Sequence, residues 1–316
     1  MIKTPKFWFQ PSLFSVVISS LLTPISFVFL ILSNLRRLFT KQYKLHNKVV
    51  ICIGNVIAGG AGKTPVAISL CSQLSKTCTV CFISKGYGRK GKGFLKVNHT
   101  MDTIITGDEP QLLQRHAQVY LYTKIKDIIN NVSQIAEDII IMDDGLQNNA
   151  IYKNCSILVL DDRAFGNGKI LPAGPLRESI KSVMEKTDFI ISTGKLPSIK
   201  QVVYGTTKTV SSALKPQKVV AFSGIGDNSK FIKSLQDKGF DVVKFFDFPD
   251  HHPYSEKDLA IILQYAQNKN IPIITTEKDY VKLAYDTKHH IHTLKLSIEL
   301  DDKLVDGIKQ KLQLIH

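Results

Sequence analysis

Cysteine is scarce in this chain, and the few copies form no recognisable metal site or disulfide framework. The five cysteines are an odd number, and only Cys78 and Cys81 form a C-x-x-C pair. That pair lies in an apolar stretch typical of a core strand, and no second pair or histidine follows at zinc-site spacing. These absences argue against a zinc-stabilised or disulfide-stapled fold and favour a reducing compartment.

Signatures of nucleic-acid binding are missing as well. The chain has no arginine-rich run, no zinc-finger spacing and no RNA-binding aromatic motif, so nucleic acid is not an expected partner. Its 41 basic residues nevertheless outnumber the 27 acidic ones, which gives a net charge of +14 at pH 7. This surplus indicates a different anionic partner, such as an acidic membrane face or a phosphorylated substrate.

Charge is absent from residues 7–35, a segment long enough to cross a bilayer as a helix. Thr23, Pro24 and several serines interrupt its apolar character, and it lacks the A-x-A cleavage pattern of a secretory signal. A transmembrane anchor, an interfacial helix and a buried core helix therefore all stay open. The basic residues that follow favour contact with anionic lipid on the cytoplasmic side: Arg36, Arg37, Lys41 and Lys44.

Residues 48–65 carry the strongest motif, an apolar strand followed by a glycine-rich turn and a helix start. In this arrangement backbone N–H groups and the helix N-terminus face a phosphate. The lysine then reaches the β- and γ-phosphates, and the threonine hydroxyl binds Mg²⁺. The generic pattern places glycine at position 57, where this chain has Ile57. The predicted nucleotide-binding residues are Gly59, Gly60, Ala61, Gly62, Lys63, Thr64 and Pro65.

Two pairs of adjacent carboxylates follow this motif. Asp143 and Asp144 end an apolar strand, which is where P-loop enzymes place a magnesium ligand. Asp108 and Glu109 precede a predicted helix and are consistent with an ordinary helix start. They are equally consistent with a metal ligand beside a group that accepts the proton of an attacking hydroxyl. The residues alone leave both interpretations of the second pair open.

Two loops and a histidine pair complete the set of polar candidates. A basic loop containing Lys85 and Arg89 follows a predicted strand, a position where open α/β sheets bind ligands. The loop over residues 171–178 is punctuated by proline and glycine and by itself indicates only a loop. His251 and His252 lack a third ligand, so the pair favours a polar turn over a zinc site.

Strand-like and helix-like segments alternate through the rest of the chain, which is the pattern of α/β domains. At 316 residues the chain exceeds the usual size of a single core. We expect a P-loop-type α/β/α domain over residues 41–205 and a second, smaller α/β domain over 206–298. A membrane-associated helix over residues 1–40 and a C-terminal helix over 299–316 complete the prediction.

Taken together, these motifs resemble the tetraacyldisaccharide 4′-kinases of Gram-negative lipid A synthesis. The shared segments occur in the family's order over nearly the whole chain. They are Gly54-Asn55 with the glycine-rich turn, Ser84-Lys85-Gly86-Tyr87-Gly88, Gly107-Asp108-Glu109-Pro110, Asp143-Asp144-Gly145-Leu146-Gln147, Phe165-Gly166-Asn167-Gly168, residues 171–178, Asp250-His251 and Thr276-Glu277-Lys278-Asp279. Lys85 is a departure, because the family commonly has arginine there.

The resemblance implies transfer of the γ-phosphoryl group of ATP to the 4′-hydroxyl of a lipid disaccharide 1-phosphate, with Mg²⁺ as the second cofactor. It also implies two α/β domains joined by a two-stranded hinge. The enzyme is then expected at the cytoplasmic face of the bacterial inner membrane, on its anionic surface, as a monomer.

Roles for individual residues follow from the same resemblance. The expected catalytic residues are Asp108 as the base, His251 as its partner, and Lys63. The expected metal ligands are Thr64, Glu109, Asp143 and Asp144. The expected substrate contacts are Lys85, Arg89, Gln147, Arg177 and Glu178.

An alternative of a different class is a membrane-associated switch ATPase of the MinD/ParA type. Those proteins carry a defining lysine at the start of the glycine loop, where this chain has Ala58, and their amphipathic helix is usually C-terminal. A GTPase is a weaker alternative, because the chain has no N-K-x-D element for guanine.

Overall fold

A computed structural model describes residues 5–58, 60–196 and 201–314 of the chain. Two β-sheets with flanking helices form a P-loop-type α/β/α core and a second, smaller α/β unit, which confirms the predicted fold class. An apolar N-terminal helix lies against the first unit. The predicted domain limits themselves stay a prediction, and the two parts are called the first and second unit below.

The N-terminal helix α1 (Leu13–Leu38) covers most of the uncharged segment, and the side chain of Ser12 caps its first turn. By length and composition it is the single helix among the described residues that could cross a membrane. Its buried residues are serines, whereas most of its large apolar side chains are exposed. A helix that turns its apolar side chains outward is not a core helix, and the two membrane alternatives stay predictions.

The first sheet has eight strands, of which the central ones are continuous runs of Val, Ile and Leu. Strands of this kind are buried on both faces of a parallel sheet. They are β1 (Val49–Gly54), β2 (Val80–Ser84), β3 (Leu95–Lys96), β4 (Gln118–Leu121), β5 (Ile139–Asp143), β6 (Cys155–Leu160), β7 (Phe189–Ser192) and β8 (Val203–Tyr204). Their order is β3-β4-β2-β5-β1-β6-β7-β8, and only β3 is antiparallel to its neighbour.

The helices of the first unit cover both faces of this sheet. They are α2 (Lys63–Leu74), α3 (Thr103–Thr106), α4 (Asp108–Leu113), α5 (Ile125–Asn131) and α6 (Ile180–Glu185). Helix α2 buries Val66, Leu70 and Leu74 in the core that also contains the centre of β1. Because β1 and β5 are central neighbours, the glycine loop after β1 and the carboxylates at the end of β5 lie at the same edge of the sheet.

The second unit has five strands in the order β11-β10-β12-β13-β9. They are β9 (Thr206–Ser211), β10 (Lys218–Ser223), β11 (Asp241–Asp247), β12 (Ile273–Thr276) and β13 (Ile291–Leu300). The accompanying helices are α7 (Asn228–Asp237), α8 (Glu256–Lys269), α9 (Glu277–Tyr280), α10 (Tyr285–Lys288) and α11 (Asp302–Lys311).

The chain enters the second unit through β9 and leaves it through β13. These two strands pair antiparallel from Thr206 with Leu300 to Ser211 with Lys295. The end of β13 and the buried face of α11 then pack in the core of the first unit, through Ile298, Leu300, Leu304, Val305 and Ile308. Strand β13 continues to Leu300, and helix α11 begins at Asp302.

Candidate active site

The glycine loop lies at the carboxyl end of β1 and leads into α2. Gly62 adopts a left-handed backbone with φ +80°, which glycine tolerates without strain, and Lys63 begins the helix. The Lys63 ammonium donates to Asn55 Oδ1 at 3.3 Å, and Thr64 Oγ1 donates to Asp143 Oδ2 at 3.4 Å. Pro65 sits in the first turn, where a missing N–H costs no helical hydrogen bond. Gly59 lies outside the described residues.

Ile57 occupies the position where the generic loop has glycine, and the structure gives a physical reason for the difference. Its side chain is 1% exposed, and its backbone forms an antiparallel bridge with Leu176. On either side of the bridge, Ala58 N donates to Pro175 O and Arg177 N donates to Val56 O, both at 2.9 Å. An extended, paired backbone suits a β-branched residue and does not require glycine.

The carboxylates after β5 form an acidic group beside Lys63. Asp143 is 8% exposed, and its Oδ1 has no hydrogen-bond partner among the described residues. Burial, together with the negative charge of Glu109, raises the pKa of Asp143 to about 7. Asp144 Oδ1 lies 3.6 Å from the Lys63 ammonium. An unpaired buried carboxylate oxygen beside two further acids fits a cation.

A complete metal shell is not preassembled, because the described residues hold no cluster of three or more His, Cys, Asp or Glu side chains around one point. Mg²⁺ usually takes one or two protein carboxylates and fills its other positions with water and phosphate oxygens. Thr64, Glu109, Asp143 and Asp144 offer the hydroxyl and carboxylate oxygens that Mg²⁺ prefers, and one or two of these carboxylates would suffice.

Asp108 and His251 meet across the two units. Asp108 is the first residue of α4, and its Oδ2 lies 3.0 Å from His251 Nδ1. Nε2 of the same ring lies 3.2 Å from the Lys278 ammonium, which can only donate. The contacts therefore assign the hydrogen to Nδ1, which donates to Asp108, and leave Nε2 as the acceptor. The sequence suggested this pair only through resemblance, because 143 positions separate the residues.

Two lysines near this pair were not predicted as site residues. Lys278 lies 3.7 Å from Glu109 and 3.3 Å from Asp250. Lys282 is buried, with its ammonium 2.6 Å from Asp279 and 3.9 Å from Asp108. For Lys278 the available signal was the T-E-K-D segment of the resemblance, to which no role was attached; Lys282 lies beyond that segment. Both lysines bring positive charge from the second unit to Asp108 and Glu109 of the first.

Three of the predicted substrate residues gather around Asp144. Arg177 Nη1 lies 3.4 Å from Asp144 and donates to Gln147 Oε1 at 3.3 Å. Gln147 Nε2 in turn donates to Glu178 Oε1 at 3.2 Å, and Glu178 forms an ion pair with Lys186 at 2.7 Å. This network fixes polar groups beside the phosphate loop.

Lys85 and Arg89 are placed differently. Lys85 is exposed after β2, and Arg89 Nη2 donates within its own region to Gly93 O and Thr123 Oγ1. Burial lowers the pKa of the Arg89 guanidinium. Within the described residues neither side chain has a hydrogen bond or ion pair to the network around Asp144, so their substrate contacts stay a prediction.

Known proteins resemble this chain in sequence. Residues 18–313 match the family described as tetraacyldisaccharide-1-P 4′-kinase, LpxK. The tetraacyldisaccharide 4′-kinase of Rickettsia canadensis (strain McKiel) is 33% identical, covering 99% of this chain and 98% of that protein. That of Bartonella quintana (strain Toulouse) is 33% identical, covering 95% and 90%.

A solved structure is similar as well. The crystal structure of LpxK from Aquifex aeolicus in complex with ATP superposes with a TM-score of 0.78 at 28% identity. The match covers 93% of this chain and 99% of that one. A family match across most of the sequence, together with relatives above 30% identity over nearly its full length, shows that this chain belongs to the tetraacyldisaccharide-1-P 4′-kinase family.

Proposed function

We propose that this protein transfers the γ-phosphoryl group of ATP to the 4′-hydroxyl of a tetraacyldisaccharide 1-phosphate in lipid A biosynthesis. The observation that carries the proposal is the hydrogen-bonded Asp108–His251 pair beside a glycine loop and an acidic group. A phosphate site equipped with a positioned base suits transfer to a hydroxyl. The family match also disfavours the MinD/ParA-type alternative.

The glycine loop would hold the triphosphate of ATP. Backbone N–H groups at the start of α2 and the ammonium of Lys63 face the phosphates, and the helix N-terminus adds partial positive charge. Thr64, Glu109, Asp143 and Asp144 would hold Mg²⁺, with phosphate oxygens completing the shell. When bound, Mg²⁺ neutralises negative charge on the transferred group and on the leaving diphosphate.

Asp108 would act as the base. As the 4′-oxygen of the acceptor forms its bond to the γ-phosphorus, the hydroxyl proton passes to the Asp108 carboxylate. The bond from the γ-phosphorus to the oxygen that bridges to the β-phosphate breaks, and ADP leaves with that electron pair. The Nδ1–H of His251 orients the carboxylate, and Lys278 holds the ring from its other nitrogen.

The acceptor sugar and its phosphate would lie beside Asp144. Arg177, Gln147 and Glu178 present fixed donors and acceptors there, which suits a polyhydroxylated ring. Lys85 and Arg89 would supply further positive charge from the loop after β2. Lys85 acts as a point charge rather than as the bidentate donor that arginine provides in the family.

The exposed apolar side of α1 would contact the membrane that contains this substrate. Phe14, Leu21, Phe27 and Leu32 are among its exposed side chains, and Arg36 and Arg37 follow in its last turn. A helix with this distribution binds an anionic bilayer through apolar burial and surface charge together. We place the enzyme at the cytoplasmic face of the bacterial inner membrane as a monomer.

A transfer assay tests the proposal directly. With γ-labelled ATP and purified lipid disaccharide 1-phosphate in detergent, the label is expected in the lipid, and the Asp108→Asn variant serves as the inactive control. Label that appears only as inorganic phosphate, at a rate independent of the lipid, would contradict the proposal and favour a switch ATPase.

A further inference from the structure

Helix α1 turns hydroxyl groups toward the protein and makes specific hydrogen bonds with them. Ser26 is 7% exposed; its Oγ donates to Ile170 O at 2.8 Å and accepts from Ala173 N at 3.0 Å. Ser19 Oγ accepts from Asn167 Nδ2 at 3.0 Å. All of these partners belong to one loop, residues 161–178, which we call the clamp loop. The helix therefore fixes this loop through directed bonds as well as by packing.

The residues before α1 hold the same loop. Trp8 Nε1 donates to Pro172 O at 3.1 Å, and Asn167 N donates to Trp8 O at 2.8 Å. At Gly166 the backbone has φ +58°, and a Cβ there would lie 2.8 Å from Trp8 O. This close approach leaves no room for a side chain, so the N-terminal segment and the clamp loop fit each other tightly.

The clamp loop in turn contacts the glycine loop at two points. Near its start, Arg163 Nη2 donates to Gly60 O, while its Nε is held by Asp161. Near its end, the backbone around Leu176 pairs with residues 56–58 through the two hydrogen bonds described above. The next residue is Arg177, which contacts Asp144. The contacts thus run without interruption from α1 to the phosphate site.

We propose that Ser26 is a positioning residue for the phosphate site, and that α1 sets the geometry of the glycine loop through the clamp loop. The kinetic effects that this proposal predicts rest on the proposed function, whereas the structural effects do not. A buried hydroxyl that satisfies both a carbonyl and an amide leaves two unpaired groups when it is removed, and the loop must shift or admit water to satisfy them.

Hydrogen exchange tests the structural part. The informative amides are those of Ala58, which donates to Pro175 O of the clamp loop, and of Arg177, which donates to Val56 O just before the glycine loop. Ser26 contacts neither amide directly, so a change there must be transmitted through the clamp loop. In Ser26→Ala we expect both to exchange about tenfold faster than in the wild type. Ser20→Ala is the matched control, since Ser20 is exposed on the same helix. Unchanged exchange at both amides in Ser26→Ala would overturn the proposal.

Kinetics test the functional part. Ser26→Ala is expected to lower kcat/KM for ATP by about tenfold, chiefly through KM, because a displaced glycine loop weakens phosphate binding. Ser26→Thr should recover most of this loss, since threonine keeps a hydroxyl that can donate to Ile170 O and accept from Ala173 N. Sedimentation with anionic vesicles should not change in either variant. A fall in kcat alone, without rescue by threonine, would indicate general destabilisation and contradict a positioning role.

A second variant guards against misfolding of the first. Trp8→Phe keeps an aromatic ring, though a smaller one, and removes the donor to Pro172 O; it should accelerate the same two amides to a smaller extent. If wild-type enzyme transfers no phosphate, the proposed function fails while the exchange results still decide this inference. If wild-type enzyme is active and neither variant changes exchange or KM, this inference alone fails.

Discussion

The two halves of the candidate active site are built in different ways. The phosphate half, with Lys63, Thr64 and Asp143, comes from two neighbouring strands of one sheet. The base half joins Asp108 of the first unit to His251 of the second, and its hydrogen bond requires the units to be in contact. We therefore expect nucleotide binding to depend on one unit and the chemistry to depend on the position of both.

The largest expected effect comes from the half that lies within one unit. Lys63→Ala removes the side chain that reaches the phosphates, so we expect loss of transfer by more than about 10³-fold together with weaker ATP binding. Transfer kinetics and calorimetric ATP titration measure the two effects. Lys76→Ala, an exposed lysine just beyond the same helix, should behave as wild type. Full activity in folded Lys63→Ala would show that this loop is not the triphosphate site.

The half that spans both units should separate chemistry from binding. Asp108→Asn is expected to lower kcat by about 10²–10⁴-fold with little change in the Kd for ATP, because a base acts only in the transfer step. Asp108 is not the base if the variant mainly weakens Mg²⁺–ATP binding, since it would then be a metal ligand.

The partner of the base extends this test. His251→Ala should also lower kcat, and the double variant should lose far less than the product of the two single losses, because residues that act as a unit are not additive. His252→Ala is the neighbouring control, as that ring bonds to Asp258 instead. Independent, multiplicative losses would show that the two residues act separately.

A smaller effect is expected at Glu109, where the two halves adjoin. Glu109→Gln should raise the Mg²⁺ concentration required for half-maximal activity by about tenfold, with a smaller change in kcat at saturating metal. A magnesium titration at fixed ATP measures this. An unchanged requirement would place Glu109 outside the metal shell and leave Lys278 as its main partner.

The smallest effect concerns the stability of the metal-free protein. Because burial raises the pKa of Asp143 to about 7, the folded protein holds a proton between about pH 4 and 7 that the unfolded chain has lost. Stability from this group is therefore present at low pH and is lost as pH rises through 7. Asp143→Asn should raise the Tm at pH 8 by roughly 2–4 °C, and the increase should be clearly smaller at pH 5. A lower Tm at pH 8 would contradict this electrostatic account.

The sequence predicted the parts of this protein that depend on local pattern. Buried parallel strands such as β1 and β5 are continuous apolar runs, and the glycine loop and Asp143 follow them directly. Their proximity follows from topology, since parallel strands end at the same edge of a sheet. The phosphate half was therefore predictable from the residues alone.

The base half was not predictable in that way. The distance between Asp108 and His251 depends on how two units pack, and no local pattern encodes that; only resemblance to a family suggested the pair. Lys282 was missed for the same reason. The serines of α1 counted as interruptions of an apolar segment, whereas in the structure Ser19 and Ser26 make its contacts with the protein.

The return of α11 to the first unit determines when this protein can fold. Leu304, Val305 and Ile308 complete a core whose strands β1 to β7 are synthesised more than a hundred residues earlier, so a growing chain on the ribosome cannot close that core until α11 emerges. The second unit lies within the first as an insertion and is fully synthesised before the first unit can be finished. A premature stop after Leu300 would therefore damage the ATP-binding half of the enzyme while leaving every strand of the second unit in place.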